Sequence, residues 1–238
     1  VRNAIFAANV VSTGFTGPYD FFEGEMGYVN QLLGGELVNP DILLNMKSNN
    51  TNRILDTYIK KWPVEYHAQS AIDACIELRE NFEDPNLIKN VVIETFKVAY
   101  EIIAKDPEKW DPKTRETADH SLPYTVAAAL VDNNITQNSF DQEKIQNKLI
   151  KKVLGLTSLN ENDELSKGYP DGIPNRITVT LNNGNEYVSE VKYPRGHANN
   201  QMTRAEIKAK FSKNVKNVYS AEKIESISNN IFDIDNCN

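Results

Sequence analysis

The feature that most constrains this sequence is a pair of alternating runs around Asn183-Gly184. Ile177, Val179 and Leu181 alternate with polar residues on one side, and a returning run extends from Tyr187 to Tyr193 on the other. Such alternation buries one face of a strand and wets the other, and an Asn-Gly pair between two such runs predicts a hairpin with a type I′ turn. A third run, Ile88 to Phe96, sets Val91, Ile93 and Thr95 against Val92 and Glu94 and reads as another strand. Ile54 to Ile59 is β-rich and ends at Trp62-Pro63.

The remaining pattern is helical. Val1 to Val11 carries apolar residues at helical spacing with no capping residue before it, which reads as a chain beginning inside an element, so a targeting peptide cannot be judged. This first helix should end near Gly14 as a left-handed cap. Phe21 to Leu33 reads as a second helix closed by Gly34-Gly35. Residues 39–52 are polar and Asn-rich and read as a linker or exposed loop. Ala68 to Phe82 puts Ala71, Ala74, Cys75, Leu78 and Phe82 on one face, with Ser70 and Asp73 spaced as a capping pair. Asp106 to Pro112 reads as a loop. Ser121-Leu122-Pro123 opens a helix running to about Val131, because Ser suits the N-cap and Pro the first turn. Ser139 and Gln142 resemble a capping box for a helix stopping at Gly155, and Thr203 and Glu206 form another before Ile207, Phe211 and Val215. A last helix covers about Ala221 to Ile231.

The fold class is therefore α+β: residues 1–52 and 201–238 are helical flanks, and 53–200 form a mixed α/β domain. The flanks are too short to build a core alone, which suggests that both pack on a larger helical domain. The 238 residues carry a net charge of −7, which argues against nucleic acid as the main partner, and no apolar run is long enough to span a membrane. Cys75 falls in an apolar helical pattern and Cys237 near the terminus. Two cysteines imply neither a disulfide framework nor an iron–sulfur cluster, so a reducing compartment is expected. Walker, dinucleotide, zinc and nucleophile-elbow motifs are absent from the sequence.

Chemistry concentrates around the three histidines, His67, His120 and His197, each a few residues before an expected helix start. Helix N-termini favour bound anions and keep a nearby imidazole neutral and able to accept a proton, so a shared anion-handling site competes with chance placement in loops. Glu65 and Gln69 flank the first histidine, although a solvated charge and a local backbone hydrogen bond explain them better than catalysis does. Asp119 could orient His120, and Tyr124 could donate a proton or contact an oxyanion, against the alternative of a tyrosine packed on its helix. Arg195, in a basic loop leaving the hairpin, could hold a carboxylate through a two-pronged pair or be a surface charge.

These segments together resemble the MmgE/PrpD family. Trp62-Pro63-Val64-Glu65-Tyr66-His67-Ala68-Gln69 resembles its central histidine segment, in a form nearest the 2-methylcitrate dehydratase branch. Residues 114–124 resemble its Asp-His-Ser-x-x-Tyr segment. Tyr193-Pro194-x-Gly196-His197, then Met202-Thr203 and Lys210-Phe211, resemble the hairpin exit and terminal helix. Gly14-Phe15-Thr16-Gly17-Pro18 with Glu23-Gly24-Glu25-x-Gly27 resembles the stretch past the mid-chain helix. The four motifs occur in family order from Val1 to about residue 215. The resemblance implies the C-terminal part of a fold with a large helical domain and a smaller α/β lid, a homodimer, no metal or cofactor, and a cleft between domains. The expected activity is dehydration of 2-methylcitrate to 2-methylaconitate in propionate breakdown, with a small tricarboxylic acid as substrate, in a cytoplasm or mitochondrial matrix. Alternatives are a cis-aconitate decarboxylase-like or iminodisuccinate epimerase-like enzyme, or a non-catalytic truncated binding module. By carry-over, His67, Tyr124 and His120 are the expected catalytic residues, and Arg195, His197 and Gln69 the expected substrate contacts. An aspartate, further histidines and a lysine of the family's set would lie in a first half that this sequence lacks. The chain alone is accordingly expected to be inactive and poorly stable.

Overall fold

A computed structural model describes residues 1–35 and 56–234. They fall into two units, within Val1–Leu55 and within Asp56–Asn238. The expected loop at 39–52, residues 54 and 55 of the β-rich stretch, and Cys237 lie outside the described residues.

In the first unit, the helix Arg2–Ser12 buries none of its residues, and Ile5, Phe6, Val11 and Phe15 are exposed. Gly14 takes the expected left-handed conformation after it. The helix expected over 21–33 is confined to Tyr28–Leu32, because turns closed at Gly24 and Gly27 occupy the preceding residues and bond Tyr28 N–H back to Phe21.

The second unit is built on a four-stranded sheet of order β2-β1-β3-β4: β1 is Ile88–Thr95, β2 Thr157–Glu161, β3 Asn175–Leu181 and β4 Glu186–Val191. β1 pairs in parallel with β2 and antiparallel with β3, which forms the expected hairpin with β4. The inward positions of β1 and β3 (Ile88, Val91 and Ile93; Ile177, Val179 and Leu181) are buried. On the opposite face the Arg176 guanidinium bridges Glu94 and Glu190 across three strands, at 3.1 and 2.7 Å. The hairpin turn departs from type I′. That turn needs positive φ at both central residues, and only Gly184 (φ +89°) has it. Gly184 N–H bonds Leu181 C=O and Leu181 N–H bonds Asn185 C=O, the pattern of a three-residue loop with glycine as its left-handed bulge.

The helix Gln69–Arg79 packs against β3, β4 and the helix Leu122–Asp132. The latter, Leu-Pro-Tyr-Thr-Val-Ala-Ala-Ala-Leu-Val-Asp, buries Leu122 through Leu130 on all sides, as its near-continuous apolar character requires. It starts where expected: Ser121 Oγ accepts from Tyr124 N–H, and Pro123 occupies the first turn. Cys75, fully buried, lies against it. The capping box at Thr203 and Glu206 is complete, opening the helix Arg204–Val215, and Ala221–Phe232 follows.

Several local expectations are corrected. Residues 57–60 form no strand; Ile59 N–H makes a single bond to Gly196 C=O. Ser70 and Asp73 do not cap. Both are buried inside the helix, where Ser70 Oγ donates to Ile173 C=O and Asp73 holds groups from distant loops. Ser139 pairs with Thr136 in the capping box of a 3-10 turn, and Asn147 caps the following helix Lys148–Gly155. The 106–112 loop contains a short helix, Pro107–Trp110. No helix among the described residues is long and apolar enough to cross a membrane.

Candidate functional site

The three histidine segments converge in the second unit. Glu65 N–H donates to Asp119 C=O at 3.1 Å, which ties the first segment to the second. A row of rings ties the first to the third: His197 stacks on Tyr58 at 4.2 Å, Tyr58 stacks on Tyr66 at 5.5 Å, and Tyr66 meets His67 edge-on at 5.5 Å. Where the first two segments meet, Lys60, Pro63, Val64, Glu65, Tyr66, Asp119 and His120 line a cleft of about 310 Å³.

His67 sits in a 3-10 turn, Tyr66–Ala68, that leads into the helix Gln69–Arg79. Glu65 caps this turn and clamps the histidine twice: Oε2 accepts His67 N–H at 2.7 Å, and Oε1 lies 2.8 Å from Nδ1. A carboxylate at Nδ1 favours the tautomer protonated there, which leaves Nε2 as a proton acceptor. Nε2 makes no hydrogen bond among the described residues, and the ring packs beside Phe96 and Tyr169. Burial pushes the Glu65 carboxyl up, but its bonds to the His67 ring and to backbone N–H groups outweigh that and hold it below the usual carboxylate range. Burial and the neighbouring Tyr58 push the Tyr66 phenol up, keeping it a neutral donor.

His120 is exposed on the cleft wall. Its Nδ1 is held by Asp119 and by Glu116 C=O, so its other nitrogen is also presented outward. Lys60, absent from the expected set, reaches the same cleft with Nζ donating to Val64 C=O at 2.8 Å. Lys210, from the helix Arg204–Val215, donates to Lys60 C=O. Two lysines before a Trp-Pro turn (Lys60 and Lys61) were the available signal, but lysine is so common on surfaces that spacing alone does not separate this one out.

The other expected residues, Gln69, Tyr124, Arg195 and His197, do not line this cleft. Gln69 is buried and bonds Trp62 N–H and C=O, which fixes the Trp62–Val64 turn. The Tyr124 ring is 1 % exposed and its hydroxyl donates to Ser139 C=O at 2.6 Å. Arg195 presents its two-pronged fork to Glu206 at 2.9 and 2.6 Å and to Asn200 at 2.8 Å, so an internal carboxylate occupies the place expected for a substrate's. The bond to Arg195 holds Glu206 down at about 2. His197 is 3 % exposed, and its Nδ1 accepts from Asn199 N–H. Burial lowers its pKa against the pull of Asp171. Among the described residues no group of histidine, cysteine and carboxylate side chains is arranged to hold a metal ion.

The model of the MmgE/PrpD C-terminal domain matches residues 62–233, from the tryptophan that opens the cleft turn to the last helix. The chain belongs to the MmgE/PrpD family. It is 27 % identical to a 2-methylcitrate dehydratase of Salmonella typhimurium over 74 % of this chain and 39 % of that protein. It is 28 % identical to a probable 2-methylcitrate dehydratase of Saccharomyces cerevisiae, over 57 % of this chain and 28 % of the yeast protein. Human cis-aconitate decarboxylase is 23 % identical over 76 % of this chain and 38 % of its own length. The matched region thus spans well under half of each relative, and these relatives are lyases.

Proposed function

We propose that this chain forms the lid part of a carbon–oxygen lyase that dehydrates 2-methylcitrate, or a closely similar citrate derivative, to the unsaturated acid without a cofactor. The observation that carries the reading is the Glu65–His67 pair beside a cleft holding Lys60 and His120. A proton next to a carboxylate is weakly acidic. Its removal needs a positioned base and a cationic partner for the charge that develops. In this reading His67 Nε2 takes the proton while Glu65 stabilises the resulting imidazolium. The C–H pair forms the new double bond, and the hydroxyl leaves as water with a proton from His120. Lys60 faces a substrate carboxylate. Gln69 holds the Trp62–Val64 turn that forms part of the wall. A homodimer and a helical domain that completes the cleft belong to the same proposal, and the relatives' names favour a citrate-like substrate.

The test supplies the chain with the helical domain of a full-length family member and assays 2-methylcitrate, citrate and cis-aconitate in the presence of chelator. Formation of the unsaturated acid from 2-methylcitrate, reduced at least 100-fold in His67→Ala, supports the dehydratase. Carbon dioxide release from cis-aconitate would replace it with a decarboxylase, and inactivity on all three would reject the proposal.

A further inference from the structure

We infer that Asn175 is a positioning residue that holds His67 in place through its backbone carbonyl. The inference rests on the reading of His67 as the base. Asn175 opens β3 and is fully buried on the face that continues as Ile177, Val179 and Leu181. Its Nδ2 donates to His67 C=O at 3.0 Å and to Ser70 Oγ at 2.8 Å, across more than a hundred residues of sequence. Ser70 Oγ in turn donates to Ile173 C=O at 2.5 Å.

Two observations say that this amide is not there for core stability. Its Oδ1 is buried without a hydrogen-bond partner, and so is Oγ1 of Thr95, the residue paired with it across β1 and β3. An unpaired buried acceptor is a cost that an apolar side chain at the same inward position would not carry. The orientation of the amide is also dictated: turned over, Oδ1 would face the carbonyl oxygen of His67. The donating side therefore accounts for the residue's presence.

With Asn175 included, every hydrogen-bonding group of His67 but one is held by a side chain. Glu65 takes N–H and Nδ1, Asn175 takes C=O, and Nε2 alone is left for chemistry. A 3-10 turn of three residues cannot fix a ring by itself, since its hydrogen bonds are few and poorly aligned. Its closing bond, Ala68 N–H to Glu65 C=O, is 3.3 Å. The strand end supplies the second anchor.

The experiment uses the 238-residue chain labelled with ¹⁵N-histidine, which gives only three imidazoles to assign. In the wild type His67 shows the Nδ1–H tautomer with a slowly exchanging ring proton. Asn175→Val keeps strand propensity and removes both the donor and the orphan acceptor. It is expected to raise His67 ring-proton exchange at least tenfold and to mix the tautomers, with His120 unmoved. Asn175→Ser, too short to reach the carbonyl, gives the same change should the valine variant fail to fold. Ser70→Ala breaks the adjoining buried bond but leaves the His67 contact, and is expected to leave the ring unchanged. A His67 ring that behaves as wild type in both Asn175 variants, or that responds equally to Ser70→Ala, overturns the inference. Full activity of His67→Ala in the assembled enzyme would instead remove the base role, and the ring measurement distinguishes the two failures.

Discussion

Gly196 is the residue on which the placement of the cleft's lysine segment depends most directly. It has φ of +98°, and a Cβ added there would lie 1.8 Å from Ile59 C=O, a backbone atom that cannot swing aside. Its own carbonyl accepts Ile59 N–H at 2.9 Å. Gly196→Ala therefore imposes a left-handed conformation on an L-residue, at about 1–2 kcal/mol. It also pushes the 58–60 segment away, which breaks a hydrogen bond of about 0.5–1.5 kcal/mol. The sum is about 1.5–3.5 kcal/mol, or a Tm lower by roughly 3–14 °C for a unit of this size. Urea unfolding followed by tryptophan fluorescence measures it, with thermal melting as a second readout. Because the displaced segment carries Tyr58 and Lys60, substrate affinity in the assembled enzyme should weaken as well. Gly155→Ala is the control: it ends the helix Lys148–Gly155, a Cβ there meets nothing within 4 Å, and it should be neutral or stabilising by up to about 1 kcal/mol. A Gly196→Ala protein within about 0.5 kcal/mol of wild type, with unchanged affinity, would refute the reasoning.

Asp73 accepts Trp62 Nε1–H at 2.8 Å and Arg195 N–H at 2.7 Å; Asp73→Ala strands both donors, and at about 1–3 kcal/mol each the loss should be about 2–6 kcal/mol in urea unfolding. Glu65→Gln keeps the shape of the dyad but not its charge, and should lower kcat of the assembled enzyme by roughly 10²–10⁴-fold while leaving the melting temperature within a few degrees. Burial lowers the His197 pKa, so the unfolded chain binds the proton more readily than the folded one. Its contribution to stability is present above the ordinary histidine value of about 6.5 and is lost as pH falls below it. The melting temperature should therefore drop from pH 7 to pH 5, and His197→Gln should flatten that slope; a slope unchanged in the variant would count against the burial argument.

Local rules carried far in this chain. Binary patterning placed β1, β3 and β4 within a residue or two, because a half-buried strand must alternate. Ser121 with Pro123 marked the central helix, and Thr203 with Glu206 marked the helix after the hairpin, because helix ends leave donors that only certain side chains satisfy. The family, too, is written in short ordered motifs. The same rules misassigned Ser70 and Asp73, where a buried side chain answered a distant group rather than its own turn, and Ser139, which closes the capping box of the turn before it instead of opening a helix after it.

What the sequence determined by itself is the α+β class, the strand pattern, the main helix starts and three histidine segments with acid–base character. What only tertiary structure decided is which polar groups remain available. Arg195 could have met a substrate carboxylate or solvent until Glu206, eleven residues on, closed on its fork, and whether Tyr124 reached a substrate or packed on its helix was open until its ring proved buried. Lys60 and Asn175 gained their roles only when loop and strand were brought together around His67. The reason is physical: patterning follows from interactions within a few residues, whereas a side chain's partner and its exposure follow from contacts across a hundred, which no local spacing encodes.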